Sequence, residues 1–531
     1  MAKTPSRRDF LKAASVAALV VPAFGILRAH AFEPEPIVGT TRYGKIAGRR
    51  INDSCVFKGV PYARTPKRLA PPAPPERWRG TRDALEFGPR AIQAAASLDG
   101  MSESCQTLNI WTPALGRGKR PVMVWLHGGG FMNGSANTDL YDGADLNREG
   151  DVVVITLNHR LGAFGYLHLP DAGDEYESSG CVGMLDIVAA LKWVRENIEN
   201  FGGDPRNVTI FGESGGGGKV IALMAMPSAK GFFHRAIVQS GALLRTAISP
   251  EQGRLFAAEL FAEMKLPLSD YRKLLNAPAE ELMRVQAGVQ RRAGTPGSGG
   301  STAQRPFSPV ISRELPEQPF DPLAPKISRD VPLLMGSNKE ETRFFFTGSA
   351  ELYALDPANL KARLQPLLGQ QTDQIVEVYR KTRPNASATD LFFAISTAQM
   401  YGYTTIRVAQ RKAEQRGAPV YLYQFAYEGA QLGGNPPVAI KSGHSMEIPF
   451  AFAHPRPSAD GSIPEHERAL SRQMSQAWVA FARNGNPNHA GLPQWPVYST
   501  ERRATMVFDR TSAIAENPHP EERLMWERLL I

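Results

Sequence analysis

One stretch of nine residues constrains this chain more than any other: Val208-Thr209-Ile210-Phe211-Gly212-Glu213-Ser214-Gly215-Gly216. An apolar run ends in Gly-x-Ser-x-Gly, and a helix-like run, Val220-Ile221-Ala222-Leu223-Met224, follows at once. That order predicts a strand entering a helix through a sharp turn with a serine at its apex. A serine held there has a strained backbone, and side chains on its neighbours would collide, which glycines avoid. The helix behind it aims its first amides and its positive dipole end at charge developing beside the hydroxyl. The glycines from Gly215 to Gly218 weaken that helix by about 1 kcal/mol each relative to alanine. Close approach of backbone to a reacting group would justify some of that cost. A serine in an ordinary turn needs none of this context, so Ser214 is the candidate nucleophile.

The rest of the chain supplies a scaffold of the same kind. Short apolar runs at 122–126, 152–157, 208–211, 236–239, 332–335 and 420–425 read as strands, and most lack polar alternation, as strands buried on both faces should. Between the second and third, residues 184–198 place Leu185, Val188, Leu191, Val194 and Ile198 at helical spacing. Strand, helix and strand in succession predict an α/β fold with a mostly parallel sheet flanked by helices. Residues 291–305, rich in Gly, Ser, Thr and Ala, read as a mobile loop within one domain. No internal repeat is evident.

A nucleophilic serine needs a base, and the base needs a carboxylate. In the order serine, acid, histidine that goes with such a turn, His30, His127, His159 and His168 come too early, and His234 follows too closely. His444 lies in Lys441-Ser442-Gly443-His444-Ser445-Met446-Glu447, after a strand and a glycine-rich loop. His454, His466, His489 and His519 sit in polar, proline- or charge-rich surroundings that read as surface. For the acid, Glu340 and Glu341 directly follow the strand at 332–335, at the carboxyl end where such groups belong. Periodicity does not choose between them. His127-Gly128-Gly129-Gly130-Phe131 follows another strand, and the amides of Gly129 and Gly130 with that of Gly215 would make a three-donor oxyanion hole. His127 itself reads as a support for that loop. A dinucleotide site would want a spaced Gly-x-Gly-x-x-Gly instead.

Composition excludes several other classes. With 42% hydrophobic and 21% charged residues the chain is ordinary for a globular protein. Five cations and one acid before residue 32 account for +4 of the formal +9, leaving +5 on the remainder, and no basic run is interleaved with aromatics. That is no nucleic-acid footprint. Residues 1–31 carry Arg7-Arg8, an apolar stretch at 13–27 and Ala29-His30-Ala31, the layout of a twin-arginine signal peptide. Its fifteen apolar residues fall short of the roughly 20 that span a bilayer. The expectation is a precursor read by the twin-arginine export machinery and a mature protein at 32–531, periplasmic or secreted, without stable membrane insertion. Three cysteines, Cys55, Cys105 and Cys181, leave at least one thiol unpaired within the chain, and their wide spacing suggests no metal site.

These residues together resemble the type-B carboxylesterases, an α/β-hydrolase family that includes para-nitrobenzyl esterases and, more distantly, acetylcholinesterase. Beside the elbow and the His127–Phe131 loop, the likeness is carried by Gly59-Val60-Pro61-Tyr62-Ala63, Glu103-Ser104-Cys105-Gln106-Thr107-Leu108-Asn109-Ile110-Trp111 and Asn158-His159-Arg160-Leu161-Gly162. Phe201-Gly202-Gly203-Asp204-Pro205, Phe233-His234-Arg235-Ala236-Ile237-Val238-Gln239-Ser240-Gly241 and Trp495-Pro496-x-Tyr498 extend it over nearly the whole mature chain. The resemblance implies Ser214, Glu341 and His444 as the catalytic set, Glu213 as the carboxylate beside the nucleophile and Ser240 as a supporting serine. It implies ester hydrolysis of small molecules with no metal or cofactor. The same machinery acting on amides, carbamates, lactones or polyesters, or an inactive binding protein on the same fold, are the alternatives. Four positions depart from the family pattern. Gly215 replaces an alanine, Lys219 a small residue and Thr342 a glycine, while Ala91 stands where a cysteine normally pairs with the counterpart of Cys105.

Overall fold

The computed structural model describes residues 35–293, 306–457 and 460–529. The signal-peptide assignment at 1–31 lies outside them. The segment expected to be a loop at 291–305 begins inside a helix, Ala279–Ala293, and its remainder is outside the described residues.

All six apolar runs are strands, and they form one continuous block of a thirteen-stranded sheet. In spatial order the block runs Val153–Leu157, Gly116–Leu126, Phe201–Glu213, Arg235–Gln239, Leu333–Asn338, Val420–Phe425, with every neighbouring pair parallel. Thr505–Phe508 adds one further parallel strand and Ala513–Ala515 an antiparallel one. At the other side Thr107–Thr112, Ser54–Pro61, Lys45–Ile51 and Glu35–Thr40 continue the sheet antiparallel.

The near-continuous apolarity of the central strands is explained by their two faces. Val122, Val124 and Leu126 pack in one core with Val153, Ile155, Val208 and Ile210. The intervening Met123 and Trp125 pack in the other with Val154, Phe211, Ile237 and Leu334. Successive side chains on a strand point to opposite faces, so a sheet covered on both sides admits no polar alternation. A third core, around Leu360, Leu364, Phe392, Phe393 and Trp526, is built from helices.

The helix between the second and third predicted strands spans Val182–Asn197, and its buried face matches the spacing at Leu191, Val194 and the following Ile198 but not in its first turns. Leu185 and Val188 are only half-buried, whereas Met184, Ile187, Ala190, Leu191 and Val194 are buried. The reason is Asp186. Its carboxylate is wholly buried and takes Arg160 Nη2 at 2.7 Å and Nε at 2.9 Å. It also takes the Arg160 amide at 3.0 Å and Gln106 Nε2 at 3.2 Å. A hydrophobic pattern counts an aspartate as solvent-facing, but this one anchors the inward side.

Candidate active site

The elbow strand Phe201–Glu213 lies in the middle of the sheet and delivers Ser214 to the first turn of the helix Gly215–Leu223. Ser214 has φ 55° and ψ −122°, a conformation costly for any residue with a Cβ. It is held there by its neighbours: its amide donates to Gln239 O at 2.9 Å, and its carbonyl accepts from the Gly218 amide at 3.0 Å. The glycines are sterically required. A Cβ on Gly216 would stand 1.9 Å from Leu126 O, and one on Gly215 would stand 2.2 Å from the Gly130 amide nitrogen.

The loop after Gly116–Leu126 faces this turn. His127 Nδ1 meets Gly128 O at 2.8 Å, and the amides of Met132 and Asn133 donate to Gly129 O at 3.3 and 3.1 Å. In a trans peptide the C=O and N–H point oppositely, so the amides of Gly129 and Gly130 are turned away from those partners. Among the described residues neither amide has a hydrogen-bond acceptor. Both glycines have positive φ, 85° and 63°. Burial, reinforced by the nearby charge of Lys219, holds His127 down to about 3, so its imidazole is neutral and serves the loop.

At the far end of the neighbouring strands the two glutamates separate. Glu340 accepts from Arg343 Nε at 2.8 Å. Glu341 is wholly buried: one oxygen takes the Asn338 amide at 2.8 Å, and the other lies 2.6 Å from His444 Nδ1. The His444 amide also donates to Glu341 O at 3.1 Å, fixing the two backbones together. His444 Nε2 faces Glu213, 3.1 Å from Oε1, and that oxygen also accepts from Ser445 Oγ at 2.8 Å. Ser214 is the next residue along. Among the described residues its hydroxyl has no hydrogen-bond partner, so the imidazole rests on the carboxylate beside it.

Electrostatically the site is rich in buried acid. Burial disfavours the His444 imidazolium, but the carboxylates of Glu213 and Glu341 outweigh it and raise the imidazole above its ordinary value. Glu213 is pushed up by burial, against the pull of His444. Ser240, with φ 48°, sits at the end of Arg235–Gln239, and its amide donates to Gly336 O at 2.9 Å. Its buried hydroxyl has no partner among the described residues.

Two features escaped the sequence reading. Glu447 is a third carboxylate of the site, wholly buried, taking Asn338 Nδ2 at 2.7 Å and Gln239 Nε2 at 3.2 Å. Its only signal was a place three residues after His444. Tyr401 and Phe345 flank the His444 ring at centroid distances of 5.0 and 4.9 Å. Tyr401 rides on a π-helical turn, Ala398–Gly402, a distortion that no periodicity announces. Of the four surface-reading histidines, His454, His466 and His489 are half-buried, bonding Leu140 O, Tyr427 OH and Gln473 O. All three cysteines are free, and Cys105 packs with Ala91 and Leu161 in a small apolar cluster. Among the described residues no cluster of His, Cys, Asp or Glu could hold a metal ion.

A mostly parallel sheet carrying a serine elbow at its centre, with an acid and a histidine at the ends of later strands, defines an α/β-hydrolase. Sequence comparison narrows this further. The carboxylesterase family model matches residues 34–526, and the chain belongs to that family. It is 35% identical to the para-nitrobenzyl esterase of Bacillus subtilis over 501 residues, covering 91% of this chain and 97% of that one. The crystal structure of carboxylesterase EST55 of Geobacillus stearothermophilus superposes with a TM-score of 0.80 at 37% identity, over 92% of this chain and 99% of that one. An esterase from Clostridium hathewayi that can hydrolyse aliphatic aromatic polyesters gives 0.76 at 30%, over 93% and 100%. The protein is a carboxylic ester hydrolase.

Proposed function

We propose that ester hydrolysis proceeds in two acyl-transfer steps through an acyl-enzyme on Ser214. His444 takes the Ser214 proton as the oxygen attacks the ester carbonyl, and returns it to the departing alcohol; water then repeats the sequence on the acyl-enzyme. Glu341 holds Nδ1–H and so fixes the tautomer that leaves Nε2 as the base. The tetrahedral oxyanion is received by the amides of Gly129, Gly130 and Gly215. The observation that carries this reading is the 2.6 Å contact of His444 Nδ1 with a carboxylate sealed from solvent, on a ring whose other nitrogen faces the elbow. Glu213 and Ser214 are adjacent in the chain, and this mechanism requires Nε2 to exchange the Glu213 carboxylate for the Ser214 hydroxyl. Such contacts often tighten only when substrate binds.

The aromatic rings of Phe345 and Tyr401 beside His444 favour small-molecule esters with an apolar group near the reacting carbonyl. Hydrolysis of p-nitrophenyl esters of graded acyl length, with the matching anilide and a polyester film alongside, tests this. Turnover of the esters with a much slower anilide is expected. Equal or preferred cleavage of the anilide would move the protein to another substrate class.

We also propose that the precursor is exported through the twin-arginine route and acts in the periplasm or outside the cell. The Arg7-Arg8 signal supports this, and among the described residues no helix is long and apolar enough to cross a membrane. Replacing both arginines (Arg7→Lys with Arg8→Lys) should retain the precursor in the cytoplasm. Undiminished export would contradict it.

A further inference from the structure

Lys219 is the fifth residue of the elbow helix and is wholly buried. Among the described residues it has no carboxylate within ion-pairing distance. Its Nζ donates instead to two main-chain carbonyls, His127 O at 2.9 Å and Gly130 O at 2.8 Å. Burying a cation without a directly paired counter-ion is strongly unfavourable, and burial holds this amine down to about 7 against the opposing pull of Glu213. A neutral amine still has two protons to donate, so both bonds survive loss of the charge.

The two carbonyls it holds bracket the glycine loop. Between them, Gly128 O faces His127 Nδ1 and Gly129 O accepts from Met132 and Asn133. Four consecutive carbonyls, 127 to 130, are therefore each bonded inside the protein, and Lys219 secures both ends of the run. A second observation concerns the same spot. A Cβ on Gly215 would lie 2.2 Å from the Gly130 nitrogen and 2.4 Å from its Cα and its oxygen. The loop is pressed against the elbow helix so closely that residue 215 has no room for a side chain.

We propose that Lys219 is a positioning residue that draws the oxyanion loop onto the elbow helix, setting the Gly129 and Gly130 amides beside that of Gly215 and thereby restricting position 215 to glycine. This rests on the oxyanion-hole reading above. Lys219 touches no reacting atom; it acts through the loop.

The test is kinetic. Lys219→Met keeps the length and apolar stem but removes the donor. Because the amides matter only when negative charge develops, kcat should fall about 10- to 100-fold while KM stays within about threefold. A trifluoromethyl ketone, which forms an oxyanion adduct with the serine, should lose affinity in parallel with kcat/KM. Lys219→Gln, which keeps an N–H donor group on a shorter side chain, should fall between and guards against a Met variant that fails to fold. In the native background Gly215→Ala should cost about 100-fold, and at least about tenfold less in the Lys219→Met background, where the loop is free to retreat. A well-folded Lys219→Met enzyme with native kcat overturns the proposal, as do strictly additive effects of the two substitutions. If the wild type hydrolyses esters and Lys219→Met does so equally well, only this inference fails. A wild type without turnover removes the reading beneath it as well.

Discussion

Two clusters of buried charge in this protein are built on opposite plans. Around Asp186 the charges balance: one guanidinium meets one carboxylate through two side-chain bonds, and the spare Arg160 Nη1 donates to Ala70 O at 2.8 Å. Burial alone would lower the Arg160 guanidinium, and Asp186 overrides that to raise it. Around His444 the charges do not balance. Glu213, Glu341 and Glu447 are all buried about one imidazole. Glu447 is pushed up by burial and by the neighbouring Glu341. A satisfied pair supports a fold; an excess of like charge is retained where protons must move.

That contrast can be broken by substitution, and the largest effect is expected at the nucleophile. Ser214→Ala should reduce kcat by about 10⁶-fold with the thermal midpoint essentially unchanged, as measured by ester hydrolysis and by thermal unfolding. A variant retaining a hundredth of the activity would place the chemistry elsewhere. Glu341→Gln should cost about 10⁴-fold in kcat, because the amide no longer selects the Nδ1–H tautomer. Glu340→Gln, which loses only the Arg343 pair, should leave kcat within a fewfold of wild type.

The balanced cluster should respond the other way. Asp186→Ala strands the Arg160 guanidinium in the interior and should destabilise the protein by about 3–5 kcal/mol, read by denaturant unfolding, while the surviving folded molecules turn over esters normally. A stable but inactive variant would join this pair to the site. The smallest effect is on pH dependence. The resolved shifts of His444, Glu213 and Glu447 are all upward, so the native state binds more protons than the unfolded one. The Glu213 and Glu447 contribution is fully present below the ordinary carboxylate value of 4.5, and that of His444 below 6.5; both are lost as pH rises through the raised native values. Catalysis needs the neutral imidazole and so gains as stability declines. Glu213→Gln should move the acid limb of kcat/KM to lower pH, and its thermal midpoint should gain on wild type as pH rises from about 5 to about 9. A Glu213→Gln midpoint that instead loses ground to wild type as pH rises would contradict the charge imbalance.

The parts of the molecule that were readable from sequence are those where local pattern and tertiary role coincide. The six central strands are buried on both faces, so their composition alone marked them. The antiparallel strand Lys45–Ile51, with alternating burial and three cations, was invisible because one side meets solvent. The elbow was legible because its strain demands small residues in a fixed order. The glutamate pair was not resolved by pattern, since only the fold decides which carboxylate reaches His444. On Val182–Asn197 the spacing placed Leu191 and Val194 correctly but put Leu185 and Val188 inward, because a paired aspartate behaves as a core residue. Thr342, a departure from the family pattern, is accommodated by hydroxyl contacts with Ser396 at 2.7 Å and Thr397 at 3.1 Å. Glu447 and the π-helical turn under Tyr401 depend on long-range packing; the place of Glu447 three residues after His444 does not by itself mark it as a site residue, and no spacing announces the turn.

The most direct test is peptide mapping by mass spectrometry after brief exposure to a fluorophosphonate, with enzyme, His444→Ala and Ser214→Ala run side by side. The expected result is one stoichiometric adduct on Ser214 in the wild type, at least about 10³-fold slower labelling without the imidazole, and none without the hydroxyl. An adduct on any other residue, or equal labelling of all three proteins, would contradict an imidazole-activated Ser214.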